Sequence, residues 1–243
     1  MKLLILLFQI AGRLLLLPVY LLDFLGLWRP LNKRIFPYFL EKISVMYNKK
    51  MHQYKKELFS NLGDFAGPSE ELVLLEIGSG TGTNFQFYPQ GCSVICLDPN
   101  PNFQQYLSKS LAENRHVQCE HFLVASGEEM SQVATASVDV VVCTLVLCSV
   151  HNVDAVLKEV KRVLRPGGAY YFMEHVAADH ASWSYYFQQV CRPNWQCLFD
   201  GCDLTKELWK NLEKAKFSKI NIHYIDAPLM KLISHHIIGY AIK

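Results

Sequence analysis

Glu76, Gly78, Gly80 and Gly82 occupy alternate positions in the run Leu75-Glu76-Ile77-Gly78-Ser79-Gly80-Thr81-Gly82, and Asp98 follows 22 residues after Glu76. Glycines at that spacing let a backbone turn tightly and let a ligand approach without meeting Cβ atoms. An acidic side chain at the end of the following strand can accept two hydrogen bonds from the vicinal hydroxyls of a ribose. The spacing is G-x-G-x-G and not G-x-G-x-x-G, and the chain contains no G-x-x-x-x-G-K-[ST] loop. A carboxylate at Glu76 would also repel a pyrophosphate. An amino group and a sulfonium suit it better, so the charges favour S-adenosylmethionine over NAD or ATP as the ligand.

Such a ligand binds where strands end in an open α/β sheet, so the surrounding elements must supply those ends. Residues 72–77 form an apolar run feeding the glycine turn, and residues 93–98 form the next strand. Asn100-Pro101 starts a helix with Phe103, Leu107 and Leu111 on one face. Residues 138–145 are a third clear strand. From Asn152, a helix carries Val153, Val156, Leu157, Val160, Val163 and Leu164 until Arg165-Pro166-Gly167-Gly168 stops it. Residues 169–174 form another strand. Thr205 begins a helix with Leu208, Leu212 and Ala215, and residues 219–225 and 237–242 close the sheet. Alternating helices and continuous apolar strands imply a mostly parallel sheet covered on both faces.

The glycine run, Asp98, Ser137-Val138-Asp139-Val140-Val141 and Leu164-Arg165-Pro166-Gly167-Gly168, in this order, resemble the class I S-adenosylmethionine-dependent methyltransferases. A narrower resemblance spans nearly the whole chain. Phe87-Tyr88-Pro89, Asp98-Pro99-Asn100-Pro101, residues 112–116, Cys143 to Val150, Glu174-His175-Val176-Ala177 and Asp200-Gly201-Cys202 are similar to the membrane-bound thiol S-methyltransferases of the methyltransferase-like group. The resemblance implies a Rossmann-like α/β fold with a seven-stranded, mostly parallel sheet and a final antiparallel strand. It also implies methylation of small alkyl or xenobiotic thiols at the endoplasmic reticulum, with lipid droplets as a second location.

Carried over position by position, the resemblance assigns the backbone of Gly78, Gly80 and Gly82 to the methionine part of the cofactor and Asp98 to its ribose, beside Glu76, whose charge suits the cofactor's cations. Pro99 and Asn100 then flank the adenine, Glu128 meets its amino group, and the loop at Thr144 backs the sulfonium. A thiol acceptor reacts as its thiolate, and an unperturbed thiol has a pKa of about 8.5, so a nearby base would raise the reactive fraction. His175, beside Glu174 at a strand end, is the candidate base, with His151 second and a structural role for either as the alternative. Cys191, Cys197 and Cys202 with His175 and His180 have irregular spacing and contain no C-x-x-C pair, so no metal site is expected. The other cysteines suit small buried hydrophobes in a reducing compartment. The aromatic stretch from Trp183 to Trp195 fits either a helix packed on the sheet or a lid over an apolar acceptor.

Composition separates the ends of the molecule. The 243 residues carry 24 Lys plus Arg against 22 Asp plus Glu and are 51% hydrophobic, which excludes a disordered chain and a nucleic-acid-coating basic protein. Residues 1–28 hold 21 apolar side chains with only Lys2, Arg13 and Asp23 charged. Arg13 near the middle and Pro18 disfavour a single span and favour an interfacial helix or a bent hairpin. No small-residue cleavage site follows, so a removed signal peptide is not expected. Residues 29–57 carry eight basic residues against Glu41 and Glu57, leaving the remainder acidic. That collar suits anionic headgroups and a cytosolic body.

The expected organisation is an anchor over 1–28, a basic and aromatic juxtamembrane segment over 29–68 and a methyltransferase domain over 69–243, acting as a monomer on a small thiol. Nucleic acid is disfavoured as a partner by the acidic body. Three alternatives remain open: another lipophilic acceptor such as a phenol or quinone, RNA adenosine, and a lipid-droplet recruitment protein with a vestigial methyltransferase body.

Overall fold

The computed structural model describes residues 2–67 and 71–243. The apolar runs become strands because their side chains are buried on both faces. β1 (Val73–Ile77) is paired in parallel with β2 (Ser93–Leu97) on one side and β4 (Val138–Thr144) on the other. β2 leads through α4 (Gln104–Glu113) to β3 (Gln118–Leu123), which adds to β2, and β5 (Leu164–His175) adds to β4, both in parallel. β6 (Lys219–Asp226) and β7 (His235–Ile242) complete a seven-stranded sheet in the order β3-β2-β1-β4-β5-β7-β6. β7 runs antiparallel to both neighbours, as the resemblance implied. The edge strand β3 had no apolar signature because it is half exposed, with the pattern Gln118, Glu120 and His121 facing water.

Two apolar layers sandwich this sheet. On one face, α5 (Val153–Val163) buries Val153, Val156, Leu157, Val160 and Val163 against Leu75, Val141 and Phe172. Its amino end is capped by Asn152, whose Oδ1 accepts from Ala155 N at 3.1 Å. Its carboxyl end differs from the sequence expectation. The helix stops at Val163, and Arg165-Pro166-Gly167-Gly168 lies within the span of β5, where the register slips between Val138 and Val140. Arg165 is held there by an ion pair with Asp139 and by donation to Phe65 O at 2.6 Å. α7 (Leu208–Lys214) starts later than Thr205, because Thr205 donates through N and Oγ1 to Asp203 Oδ1 and forms a turn.

The opposite layer draws on the amino-terminal segment. α3 (Trp28–Leu58) buries Tyr47, Met51, Lys55 and Leu58, a spacing that places all four on one helical face. Tyr47, Met51 and Leu58 share a cluster with Leu74, Val94, Val142 and Met173 of the sheet. The carboxyl half of this helix is therefore core of the α/β body, and Lys55, counted by charge with the collar, is only 1% exposed. The expected boundary between residues 68 and 69 falls outside the described residues.

α1 (Lys2–Leu15) and α2 (Leu17–Phe24) meet at 79°, with Pro18 in the first turn of α2. Among the described residues no single helix is long and apolar enough to cross a membrane. α1 lies against α6 (Trp183–Leu198), where Gln9 Nε2 donates to Gln189 O at 2.8 Å and Tyr20 OH of α2 to Asn194 Oδ1 at 2.9 Å. Trp28 Nε1 adds a bond to Cys197 O at 2.8 Å. The aromatic stretch is thus a helix docked on the amino-terminal pair, with only Gln188 of its side chains buried.

Candidate active site

β1 ends at Ile77, and the chain turns over the sheet through Gly78, Gly80 and Gly82, all at positive φ. At Gly78 (φ +64°) a Cβ would also overlap Val146 Cγ2, so the loop after β4 closes on the glycine loop only because no side chain intervenes. Asp98, immediately beyond β2, is buried. Its Oδ2 accepts from Gly80 N at 3.1 Å and its Oδ1 from Asn100 N at 2.9 Å. Each carboxylate oxygen keeps a second lone pair for a ribose hydroxyl. Burial lifts its pKa to about 6 against the pull of those two N–H groups.

Beneath the loop lies a buried polar chain. Lys55 Nζ donates to Asn84 Oδ1 at 2.8 Å and to Asn48 Oδ1 at 2.7 Å. Asn84 Nδ2 in turn donates to Glu76 Oε1 at 2.7 Å and to Thr144 Oγ1 at 3.0 Å. Burial pushes Glu76 up to about 7, opposed first by the neighbouring Tyr88 hydroxyl and then by the Asn84 bond and the lysine. It pushes Lys55 down to about 7, opposed by Glu76. The two groups therefore meet near neutrality. Sequence reasoning found Glu76 and Thr144 but missed Lys55 and Asn84, because neither has a motif and Lys55 stands in a run of surface charges.

Among the described residues, Glu76 Oε2, Ser79 Oγ and Thr81 Oγ1 are buried without a hydrogen-bond partner. Unmet acceptors beside a glycine loop fit a ligand with an ammonium and a sulfonium, and with Asp98 they fit S-adenosylmethionine. The amino half of α3 leans over this site. Asn100 Nδ2 donates to Lys33 O at 2.8 Å, Phe36 meets Phe103 edge-on at 6.3 Å, and a Cβ on Gly80 would lie 3.5 Å from Leu40 Cδ2. Pro99 is exposed at the rim. Glu128 lies elsewhere in its bonding: its carboxylate accepts from Asn152 N at the start of α5 and from Ser126 Oγ at 3.2 Å.

Next along the sheet, the ends of β4 and β5 are tied together by Glu174. Its Oε1 accepts from Val146 N at 3.0 Å and Leu147 N at 3.1 Å, holding a loop in which Leu145 adopts φ +58°. Burial raises the Glu174 pKa to about 7 despite those two bonds. His175 is also buried. Its Nε2 lies 3.0 Å from Cys202 Sγ, while Nδ1 has no partner among the described residues. Burial disfavours its cation, but the neighbouring Cys148 and Glu174 outweigh that and hold its pKa above the ordinary value. Cys202 Sγ lies 3.4 Å from Cys148 Sγ and accepts from Trp195 Nε1 at 3.3 Å.

The grouping differs from the one considered in the sequence. Cys202 and His175 do come together, but their third member is Cys148. Cys191 and Cys197 are half-buried on α6, and His180 is exposed, pairing with Glu207 at 3.4 Å. His151 is exposed as well. A cleft of about 620 Å³, whose walls include Val176, His180, Trp209, Tyr224 and His236, opens at this same end of the sheet.

Residues 75–172 match the family model described as a methyltransferase domain. The human thiol S-methyltransferase TMT1A is 62% identical over 91% of this chain and 91% of its own length. The human thiol S-methyltransferase TMT1B is 52% identical over the whole of both chains. Among solved structures, a S-adenosylmethionine-dependent methyltransferase from Thermotoga maritima, described as a possible histamine N-methyltransferase, superposes with a TM-score of 0.54 at 16% identity. It covers 85% of this chain and 99% of its own. A geranyl diphosphate methyltransferase in complex with geranyl diphosphate and sinefungin gives a TM-score of 0.58 at 14% identity, covering 79% of this chain and 77% of that one. The last two resemblances are of fold.

Proposed function

The chain belongs to the thiol S-methyltransferase family, with a class I methyltransferase fold, and on that premise we propose that it methylates small apolar thiols at the cytosolic surface of the endoplasmic reticulum or of lipid droplets. It is a S-adenosylmethionine-dependent enzyme. The observation that carries the reading is that Asp98 and the unpartnered Glu76 Oε2 flank one glycine loop, acceptors for a ribose and for a cation at neighbouring strand ends.

The bound cofactor supplies a methyl group made electrophilic by the sulfonium that carries it. The protein's own contribution is alignment and exclusion of water. Asp98 fixes the ribose, and the turn at Gly78 to Gly82 brings backbone against the methionine part. Glu76, held by Asn84 and Lys55, offers a carboxylate to its cations. Glu174 fastens the loop carrying Val146 and Leu147, which walls the cofactor loop from the acceptor side. His175, which ends β5 behind that wall, is the residue that activates the acceptor's sulfur.

A membrane-borne acceptor agrees with the amino-terminal pair. Leu3, Leu7, Phe8, Leu15 and Phe24 of α1 and α2 are exposed, as are Trp183 and Phe187 on the neighbouring α6. A bent apolar pair beside exposed Arg29, Lys33, Arg34 and Lys42 suits a helix pair lying in the interface with basic residues at the headgroups.

Incubating the detergent-purified protein with labelled donor and a matched panel of apolar thiols, phenols and amines tests the acceptor. Thiols alone should accept the label. Equal labelling of all three, or labelling of phenols in preference, would overturn the thiol assignment.

A further inference from the structure

Three groups from three separate parts of the chain converge behind the loop that follows β4. Cys148 lies in that loop, His175 ends β5, and Cys202 follows α6. Cys148 Sγ, a His175 ring nitrogen and Cys202 Sγ all lie within 4.8 Å of one another, and all three residues are buried. Both cysteines are free thiols.

Hydrogen bonding alone accounts poorly for the arrangement. Cys202 Sγ has one proton, yet it faces His175 Nε2 at 3.0 Å, Cys148 Sγ at 3.4 Å and the indole N–H of Trp195 at 3.3 Å. Sulfur is a weak donor and a weak acceptor, so three close polar neighbours around one buried thiol are unusual. A cation held by both sulfurs and the imidazole nitrogen would satisfy those three groups and leave a thiolate to accept from the indole. A tetrahedral zinc with Zn–S near 2.3 Å and Zn–N near 2.05 Å separates its sulfurs by about 3.8 Å and sulfur from nitrogen by about 3.5 Å. The distances here are a few tenths of an ångström shorter, within the reach of side-chain rotation. Two thiolates would neutralise a divalent charge, and an indole N–H on one of them is the outer contact such ligands commonly receive.

We propose that Cys148, His175 and Cys202 bind a divalent cation of the zinc class, and that its remaining position takes the sulfur of the acceptor thiol. Three protein ligands with one open position is the arrangement of catalytic rather than structural zinc. Its location suits that role. Cys148 is two residues from Val146, whose side chain packs against Gly78 of the cofactor loop, and Glu174 holds the intervening segment. Val176, next to His175, lines the open cleft through which an acceptor and a departing proton can pass.

The inference rests on the thiol reading above and adds how the sulfur is made nucleophilic. On binding, the acceptor's S–H bond breaks, its proton leaves to water in the cleft, and a sulfur–metal bond forms; a metal-held thiol is deprotonated outright. The lone pair of that sulfur then forms the new bond to the methyl carbon as the carbon's bond to the sulfonium breaks, and the electrons of the broken bond return to the former sulfonium. Both products are neutral at sulfur, nothing is oxidised or reduced, and the metal–sulfur bond weakens because a thioether is a poorer ligand than a thiolate.

The test uses the full chain in detergent, purified without a polyhistidine tag, with metal content measured by mass spectrometry. The wild type should hold about one zinc per chain, and Cys148→Ser or Cys202→Ser should lower metal affinity about 10- to 100-fold or more. Cys191→Ser, on α6 outside the cluster, should leave the content unchanged. Should the cluster variants fail to fold, chelator-stripped wild type reloaded with cobalt(II) provides a second readout. Sulfur-to-cobalt charge-transfer absorption should appear, and a short alkanethiol should shift it where a matched phenol does not.

Failure of the wild type to take up zinc or cobalt, or equal metal content in the wild type and both cluster variants, would overturn the proposal. A Cys148–Cys202 disulfide that upon reduction still binds no metal would do the same. Thiol methylation by a protein with no metal removes the metal site and leaves the function standing. A metal-loaded protein that methylates no thiol removes the functional reading and the acceptor role of the metal with it.

Discussion

Lys55 and Glu76, one from the long amino-terminal helix and the other from the first strand, are joined inside the protein by the single amide of Asn84, which accepts from the lysine at 2.8 Å and donates to the glutamate at 2.7 Å. Through that amide, a helix that begins beside the exposed apolar pair α1 and α2 sets the charge beneath the cofactor loop. The basic amino-terminal segment and the cofactor loop thus share one element, α3.

Replacing Lys55 by Met removes the ammonium that favours the Glu76 carboxylate. The glutamate, already pushed up to about 7 by burial, then holds its proton to higher pH. Each unit of further rise weakens binding of a cationic cofactor at pH 7 by up to about tenfold, and affinity should recover as pH is raised toward about 8.5. Calorimetric titration of Lys55→Met across this range checks it; affinity equal to wild type at pH 7 would show that the chain from α3 does not reach the cofactor.

Asp98 predicts a pH dependence of its own. With its pKa raised to about 6 in the cofactor-free protein, the carboxyl is protonated below that value and loses acceptor capacity, so affinity must fall as pH falls. Below pH 6 the loss should approach about tenfold per unit, with proton release on binding near pH 6. Asp98→Asn, whose amide NH₂ would face the N–H of Gly80 or Asn100, should weaken binding by about 100-fold, as loss of a charged hydrogen bond and its geometry requires. A cofactor affinity that stays level from pH 7 to pH 5 is inconsistent with the ribose assignment.

Gly78 and Gly91 separate strain from crowding. Both have positive φ, +64° and +79°, but a Cβ at Gly91 would meet open space while one at Gly78 would overlap Val146. Gly91→Ala should therefore cost only the backbone strain, about 1 kcal/mol of stability, and leave cofactor binding intact. Gly78→Ala should cost about 1–3 kcal/mol and displace the loop after β4, which thermal unfolding and cofactor titration report together.

Truncation distinguishes anchor from core. A protein lacking residues 1–27 should remain folded and no longer float with phospholipid vesicles. Removal to residue 58 deletes the buried Tyr47, Met51 and Leu58, each contributing about 1.5–3 kcal/mol, and so removes a large part of a typical domain's stability of about 5–15 kcal/mol. The longer truncation should be unfolded by circular dichroism. Persistent vesicle binding after the shorter one would assign attachment to α6 or the basic residues.

The strands were legible where burial made them continuous, as in Val138–Thr144, and the amphipathic α5 where one face alternated with water. β3 was not, because an edge strand needs no apolar face, and the start of α7 was not, because Asp203 captures Thr205 first. The glycine loop and Asp98 could be found in one dimension, since a tight turn and the next strand end fix their separation along the chain. Lys55 looked like one more surface cation, and its burial depends on Asn48 and Asn84 being brought to meet it.

What the sequence by itself determined was the cofactor: adjacent residues in a turn and at a strand end specify its charge and its ribose, and such local chemistry survives being read as text. What only the tertiary structure decided was the buried cluster of Cys148, His175 and Cys202. Cys148 and Cys202 stand 54 residues apart, and His175 lies between them in the chain without a spacing that metal or catalytic motifs share. They meet because β4 and β5 end side by side and the chain after α6 folds back over both, a convergence set by strand pairing and not by neighbouring residues.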